Sequence, residues 1–129
     1  MRFARVVLAL AMAMVALTGG THAVPAQTQP AGVQRFVIAI KNRRVDPASH
    51  DVRVRQGDSV ELTFTSDEAA ELHLHGYDQF LTVAPNVPAT LRIDAKTAGR
   101  FSLEAHGFGR NAARGGSHVV LLYLEVHPR

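Results

Sequence analysis

Two alternating runs flank a turn in the segment Val52-Arg-Val-Arg-Gln-Gly-Asp-Ser-Val-Glu-Leu-Thr-Phe64. Apolar residues occupy every second position on both sides, which is the period of a β-strand with one face in a core and the other in solvent. Gly57-Asp58, between the runs, is a turn signal. The segment therefore predicts two half-buried strands joined by a tight connection.

The same pattern continues along the chain in both directions. Short apolar or alternating runs recur about every ten residues from residue 33 onward, a spacing typical of an all-β sandwich. They cover residues 36–40, 52–55, 60–64, 71–75, 80–83, 89–93, 101–105 and 118–126. No stretch keeps a helical period over three turns, and no internal repeat occurs. The sequence predicts one all-β domain of about eight strands.

The first 23 residues have the features of a secretory signal peptide. Arg2 and Arg5 form a positive start, residues 6–17 form an apolar run too short to span a membrane, and Thr21-His22-Ala23 offers a small-residue cleavage site. Residues 24–33 contain two prolines and two glutamines and are expected to form a tether. We therefore predict a signal peptide (1–23), a linker (24–33) and one domain (34–129), located in the periplasm or secreted and not bound to a membrane after cleavage.

The charge of the mature chain argues against nucleic-acid binding. Removing Arg2 and Arg5 with the signal peptide leaves twelve basic residues against eleven acidic ones, so no basic excess remains to attract phosphates. The chain contains no cysteine, and all three methionines lie within the first 14 residues. An exported domain without disulfides has to rely on its hydrophobic core, for which about 100 residues are sufficient.

Two segments resemble the cupredoxin family. Residues 45–64 have a proline, an alternating strand, Gly-Asp and a second alternating strand that ends in Phe64, and Ala98-Gly-Arg-Phe-Ser-Leu-Glu-Ala105 resembles the approach to the copper-binding cysteine of cupredoxins. The resemblance covers about residues 36–126 and implies a Greek-key β-sandwich with a metal site among the loops at one end. The motif His73-Leu-His-Gly-Tyr-Asp78 is similar to that of exported cupredoxin-like proteins without the cysteine.

The departures from the family pattern exclude one function. A blue copper centre requires a thiolate, two imidazoles and a weak axial ligand, usually methionine. Ala105 stands where the resemblance places the cysteine, and no methionine remains after signal cleavage. A blue copper electron carrier is therefore excluded by chemistry.

His73 and His75 are the first candidate metal ligands. Residues two apart on a strand share a face and lie about 6.6 Å apart at Cα, so their imidazoles can converge on one ion at about 2.0–2.1 Å each. Their neighbours Leu72 and Leu74 are apolar, and alternation therefore places both histidines on the face away from the core. An ungapped match to the family puts Leu72 at the usual first-ligand position, so a site at His73 and His75 is a new one.

His106 and His118 are the candidates for further ligands. His106 follows the strand that the resemblance places beside the His73–His75 strand, and by alternation it shares a face with Glu104. His118 opens the last strand, where alternation groups it with Val120 on the probable inner face. From there His118 either reaches the site from inside or caps the core.

Three functions remain open at this stage. The favoured one is binding of a copper ion, or less readily a zinc ion, through His73, His75, His106 and His118, for storage, delivery or sensing. The second is a metal-free sandwich that binds another envelope protein and has lost the copper site. The third is a metalloenzyme, but no catalytic triad, carboxylate pair or nucleotide loop occurs with suitable spacing, and the expectation is that the protein is not an enzyme.

Overall fold

The computed structural model describes residues 32–109 and 118–129. They form eight strands: β1 (Val33–Ile40), β2 (Asp51–Arg55), β3 (Ser59–Ser66), β4 (Ala70–Leu74), β5 (Gln79–Val83), β6 (Ala89–Asp94), β7 (Gly99–His106) and β8 (Val119–His127). A single 3₁₀ turn at Pro47–Ser49 precedes β2, and no helix in those two ranges is long and apolar enough to cross a membrane. The all-β prediction is confirmed. The predicted signal peptide and nearly all of the predicted linker lie outside the described residues.

The strands form two sheets that enclose one core. One sheet has three strands in the order β1-β3-β6, and the other has five in the order β2-β8-β7-β4-β5. Strands β1 and β2 each pair in parallel with their neighbour, and the remaining pairs are antiparallel. Val60, Leu62 and Phe64 of β3 are buried, as their alternation predicts. The neighbours in each sheet are mostly distant in sequence, as expected of a Greek-key sandwich.

Strands β4 and β7 lie side by side in the five-stranded sheet and separate an apolar face from a polar one. In their antiparallel register Leu72 is paired with Ala105 and Leu74 with Leu103, and all four side chains are fully buried. Residues between them point the other way because successive side chains on a strand alternate. The outer face of this pair of strands therefore carries His73, as predicted.

A β-bulge in β8 reverses the alternation on which one prediction rested. Leu103 is paired with Leu122, but Glu104 is paired with Val120, so Leu121 is an extra residue, and both Leu121 and Leu122 are buried. Such an insertion moves every residue before it to the opposite face. The prediction that His118 and Val120 lie on the inner face is therefore wrong: Val120 is 41% exposed on the outer face, and His118 is exposed.

Candidate metal centre

Strand pairing brings the predicted histidines to one patch of the outer face. His73 is directly opposite Glu104, and Glu71 is opposite His106, so a single strand pair places His73 and His106 diagonally from each other. His75 lies just beyond the end of β4, where its backbone N–H donates a hydrogen bond of 2.9 Å to Ser102 O. That bond continues the pairing with β7 by one residue and keeps His75 on the same face as His73.

The three imidazoles are close enough to share one ion. One ring nitrogen from each of His73, His75 and His106 can be chosen so that all three lie within 4.8 Å of one another. The ring centroids of His73 and His75 are 4.0 Å apart, and that of His73 is 5.7 Å from that of His106. Two nitrogens bound to the same ion at about 2.0–2.1 Å are at most about 4.2 Å apart. Small side-chain rotations are therefore sufficient to bring these nitrogens to bonding distance.

The hydrogen-bonding state of these nitrogens fits a cation. Nε2 of His73, His75 and His106 is shielded from solvent and forms no well-aligned hydrogen bond with any described residue, although His75 Nε2 lies 3.1 Å from Glu104 Oε2 and His73 Nε2 lies 3.7 Å from Asp78 Oδ1. A buried polar atom left without a partner costs about 1–3 kcal/mol, and a bound ion is one of the ordinary partners of such an atom. The grouping of three such nitrogens is compatible with a cation bound by all three imidazoles.

Glu104 lies at the centre of the cluster and connects it to His118. Its Oε2 is 3.1 Å from His75 Nε2 and 3.6 Å from His118 Nδ1, and its Oε1 accepts a hydrogen bond of 3.4 Å from Ser102 Oγ. Burial raises the pKa of Glu104. The charge of His75 and the hydrogen bonds with His75, Ser102 and His118 lower it by more, so that the pKa lies below its ordinary value. Glu104 is therefore a carboxylate at neutral pH, and a second ligand set is present in Glu104, His106 and His118, whose ligand atoms lie within 4.8 Å of one another.

His106 is held neutral by its surroundings. Burial lowers its pKa below the ordinary value, and the positive charges of His118 and His73 lower it further against the opposing effect of Glu104 and Glu71. A metal binds the neutral imidazole, so a lowered pKa removes competition from protons at neutral pH. His106 is the shared member of both ligand sets.

The lowered pKa of His106 predicts how the metal-free protein responds to acid. The unfolded chain takes up the proton near pH 6.5, whereas the folded chain does so only at lower pH. Below about pH 6.5 the unfolded state therefore binds more protons, and the free energy of unfolding falls as the pH is lowered. Urea melts at pH 7.5 and 5.5 should show a smaller fall for His106→Gln than for the wild type. Equal falls would contradict this assignment.

Phe80 is a member of the site that the sequence did not indicate. It is opposite His73 on the edge strand β5, and the two rings are stacked with centroids 4.1 Å apart and planes 10° apart. This stacking covers one face of the His73 imidazole and fixes its orientation. The Phe80 side chain itself is 57% exposed to solvent. An exposed phenylalanine within an alternating run was the available signal, but its partner depends on the register of β5 against β4.

The position of the family's copper cysteine contains no metal ligand. Leu72 and Ala105, which the resemblance aligns with the usual first histidine and the cysteine, are paired with each other and fully buried in the core. The residues present do not fit a blue copper centre. His50 and His127, which were not predicted as ligands, lie elsewhere, near Asp51 and Glu125.

Comparisons with known proteins identify the fold. No protein-family model matches the sequence, and no curated protein is similar to it in sequence. Among solved structures, a copper-binding protein in its apo form matches with a TM-score of 0.54 and 13% identity over 77% of this chain and 92% of its own. A multi-copper oxidase from Pseudomonas thermotolerans matches with a TM-score of 0.54 and 21% identity over 77% of this chain. A further multicopper oxidase has a TM-score of 0.53 and 16% identity over 74% of this chain.

These likenesses establish a cupredoxin-like domain and no more. The chain spans 30% and 42% of the two oxidases, so it corresponds to one part of them. At identities between 13% and 21% the similarity shows the fold alone, and function has to be argued from the site.

Proposed function

We propose that this cupredoxin-like protein is exported and binds one copper ion through His73, His75 and His106. The observation that carries the proposal is the cluster of three imidazoles, each of which offers one ring nitrogen within 4.8 Å of the other two. Glu104 and His118 lie beside them and are not ligands of the proposed site. We infer that the protein binds the metal without catalysing a reaction, as expected from the sequence, in which no catalytic triad, carboxylate pair or nucleotide loop occurs with suitable spacing.

The donor set favours copper over zinc. Neutral imidazole suits both Cu(II) and Zn(II), but affinity for a given nitrogen and oxygen site rises to a maximum at Cu(II) among the divalent first-row metals. Soft donors that would select Cu(I) are absent from the chain after residue 14, which contains neither cysteine nor methionine. Copper-binding proteins of the same fold support this choice.

A direct titration tests the proposal. The purified mature protein is titrated with Cu(II) and, separately, with Zn(II) in a calorimeter, and its metal content is measured after desalting. We expect one Cu(II) per chain to be retained and Zn(II) to bind more weakly. A protein that retains neither metal would refute the proposal.

The spectrum of the copper-loaded protein should differ from that of blue copper proteins. The intense absorption of those proteins near 600 nm arises from the bond between copper and a cysteine thiolate, and this chain has no cysteine. We expect only weak absorption in the visible range after Cu(II) is added. An intense band would contradict the assignment of imidazole ligands.

A metal-free interaction domain is the second candidate function. The outer-face row that contains His73 and Glu104 is bordered by two exposed apolar residues, Phe80 on β5 and Val120 on β8. Exposed apolar residues within a polar surface are common at protein interfaces. This candidate is favoured if the titration finds no retained metal while the protein is folded.

A further inference from the structure

The candidate centre contains two ligand sets and not one. His73, His75 and His106 form the inner set, and Glu104, His106 and His118 form the outer set. The two sets share His106, whose ring centroid is 4.2 Å from that of His118. An ion that passes from one set to the other therefore keeps His106 and exchanges the other two ligands.

The two sets differ in their exposure to solvent. The most exposed side chain of the outer set is that of His118, at 59%, while Glu104 is 18% exposed. In the inner set His75 is 42% exposed and His73 only 14%, and Phe80 covers the His73 ring. A ligand from another molecule can therefore approach most readily at His118, whereas His73 is the covered imidazole.

Glu104 connects the sets. Its Oε2 lies between His75 Nε2, at 3.1 Å, and His118 Nδ1, at 3.6 Å. A carboxylate in this place can remain close to the ion while His118 is replaced by His73 and His75.

We propose that the protein transfers its ion, with the inner set as the resting site and the outer set as the place where the ion enters and leaves. This inference rests on the proposed function and deepens it from copper binding to copper delivery. The acceptor is a molecule with imidazole or carboxylate donors. These donors replace His118 and Glu104 as ligands of the ion, and His106 is the last ligand to be released. The ion moves as Cu(II), so no oxidant or reductant takes part.

The proposal separates rate from affinity. A residue that binds the ion only along the path lowers the barrier for entry and exit equally, so that its removal slows both and leaves their ratio unchanged. His118→Ala should therefore keep the Cu(II) dissociation constant within about threefold of the wild type, a difference of roughly 0.6 kcal/mol. Transfer of Cu(II) to EDTA, followed by visible absorption in a stopped-flow instrument, should be at least tenfold slower.

His127→Ala is the matched control. His127 is the last residue of β8, and His118 directly precedes that strand. The His127 side chain is 58% exposed and lies 3.8 Å from a carboxylate oxygen of Glu125, much as His118 lies beside Glu104. Its removal should change neither the affinity nor the rate of transfer. It therefore corrects for the loss of one exposed histidine beside an acidic residue.

Each outcome decides the matter. If His118→Ala loses as much affinity as His73→Ala, His118 is a ligand of the resting site and the two-site proposal is wrong. If the variant transfers Cu(II) at the wild-type rate, the outer set is not on the path and the proposal is equally wrong. Failure of the wild type to bind Cu(II) would instead refute the proposed function itself, so the two failures are distinguishable.

Discussion

The His73→Ala/His75→Ala variant should bind Cu(II) at least about 100-fold more weakly than the wild type. It loses two of the three inner imidazoles, and loss of even an outer-shell partner of a metal ligand typically costs 10–100-fold in affinity. His106 with Glu104 and His118 would remain, but this set offers two nitrogen donors and not three. Calorimetric titration and metal content after desalting both report the loss.

The control for this variant is His50→Ala/His127→Ala. Both of these histidines are exposed and lie beside a carboxylate, Asp51 for His50 and Glu125 for His127. The control removes the same number of imidazoles from the same chain without touching the cluster. If both double variants bind Cu(II) like the wild type, the metal is held elsewhere and the assignment of His73 and His75 is wrong.

Folding of the variant has to be checked independently of metal. Truncating His73 removes its stacking on Phe80, but it also removes an Nε2 that has no hydrogen bond. The two effects oppose each other, and aromatic stacking is worth about 0.5–1.5 kcal/mol. We therefore expect urea melts of the metal-free variant to stay within about 1.5 kcal/mol of the wild type.

Alternation was sufficient to predict most of the fold. Val60, Leu62 and Phe64 are buried because the pleat of a strand sends every second side chain into the core, and this information is local in the sequence. The same rule predicts that His73 and His106 face away from the core. Their proximity also requires β4 and β7 to be neighbours, and only the resemblance to cupredoxins supplied that pairing.

The sequence-based predictions failed where a β-bulge interrupts the alternation of side chains, and where the contact between two residues depends on the register of two strands. The extra residue Leu121 in β8 moved His118 to the outer face, and nothing in the run Val119-Val-Leu-Leu-Tyr123 marks where such a bulge occurs. The stacking of Phe80 on His73 depends on how β5 is aligned with β4. Non-local pairing of this kind has no signal in a single sequence.

Gly76 determines the path of the chain directly after β4 and His75. Its φ is +81°, a left-handed conformation that L-residues with side chains rarely adopt. A Cβ at this position would also lie 2.5 Å from Cδ1 of Phe101 and 2.8 Å from Cε1 of the same ring. Phe101 cannot move freely, because it packs against the core and its ring contacts Tyr77 edge to face.

Gly76→Ala should therefore be one of the most destabilising substitutions in the domain. Unfavourable backbone conformation costs about 1 kcal/mol or more, and forcing extra volume into a packed site typically costs a further 1–3 kcal/mol. We expect a loss of about 3 kcal/mol in the free energy of unfolding, which is a large part of the 5–15 kcal/mol that stabilises a typical domain. Urea denaturation followed by circular dichroism measures it.

Gly109→Ala is the matched control, because it isolates the backbone contribution. Gly109 has a similar φ of +76°, but a Cβ there would meet no atom of the described residues within 4 Å. Its substitution should cost only about 1 kcal/mol, so the difference between the two variants measures the clash with Phe101. Equal losses would show that Phe101 relaxes without cost.

The clash with Phe101 should also disturb the metal centre, because His75 is the residue before Gly76. The position of His75 depends on the hydrogen bond of its N–H to Ser102 O, and a displaced Phe101 lies next to Ser102 in β7. Gly76→Ala should thus weaken Cu(II) binding under conditions where the protein is still folded, and Gly109→Ala should not.

Adding Phe101→Leu to Gly76→Ala should recover part of the loss of stability and part of the loss of Cu(II) affinity, since a smaller side chain makes room for the new methyl group. If the double variant recovers stability but not Cu(II) affinity, the position of His75 does not depend on this contact.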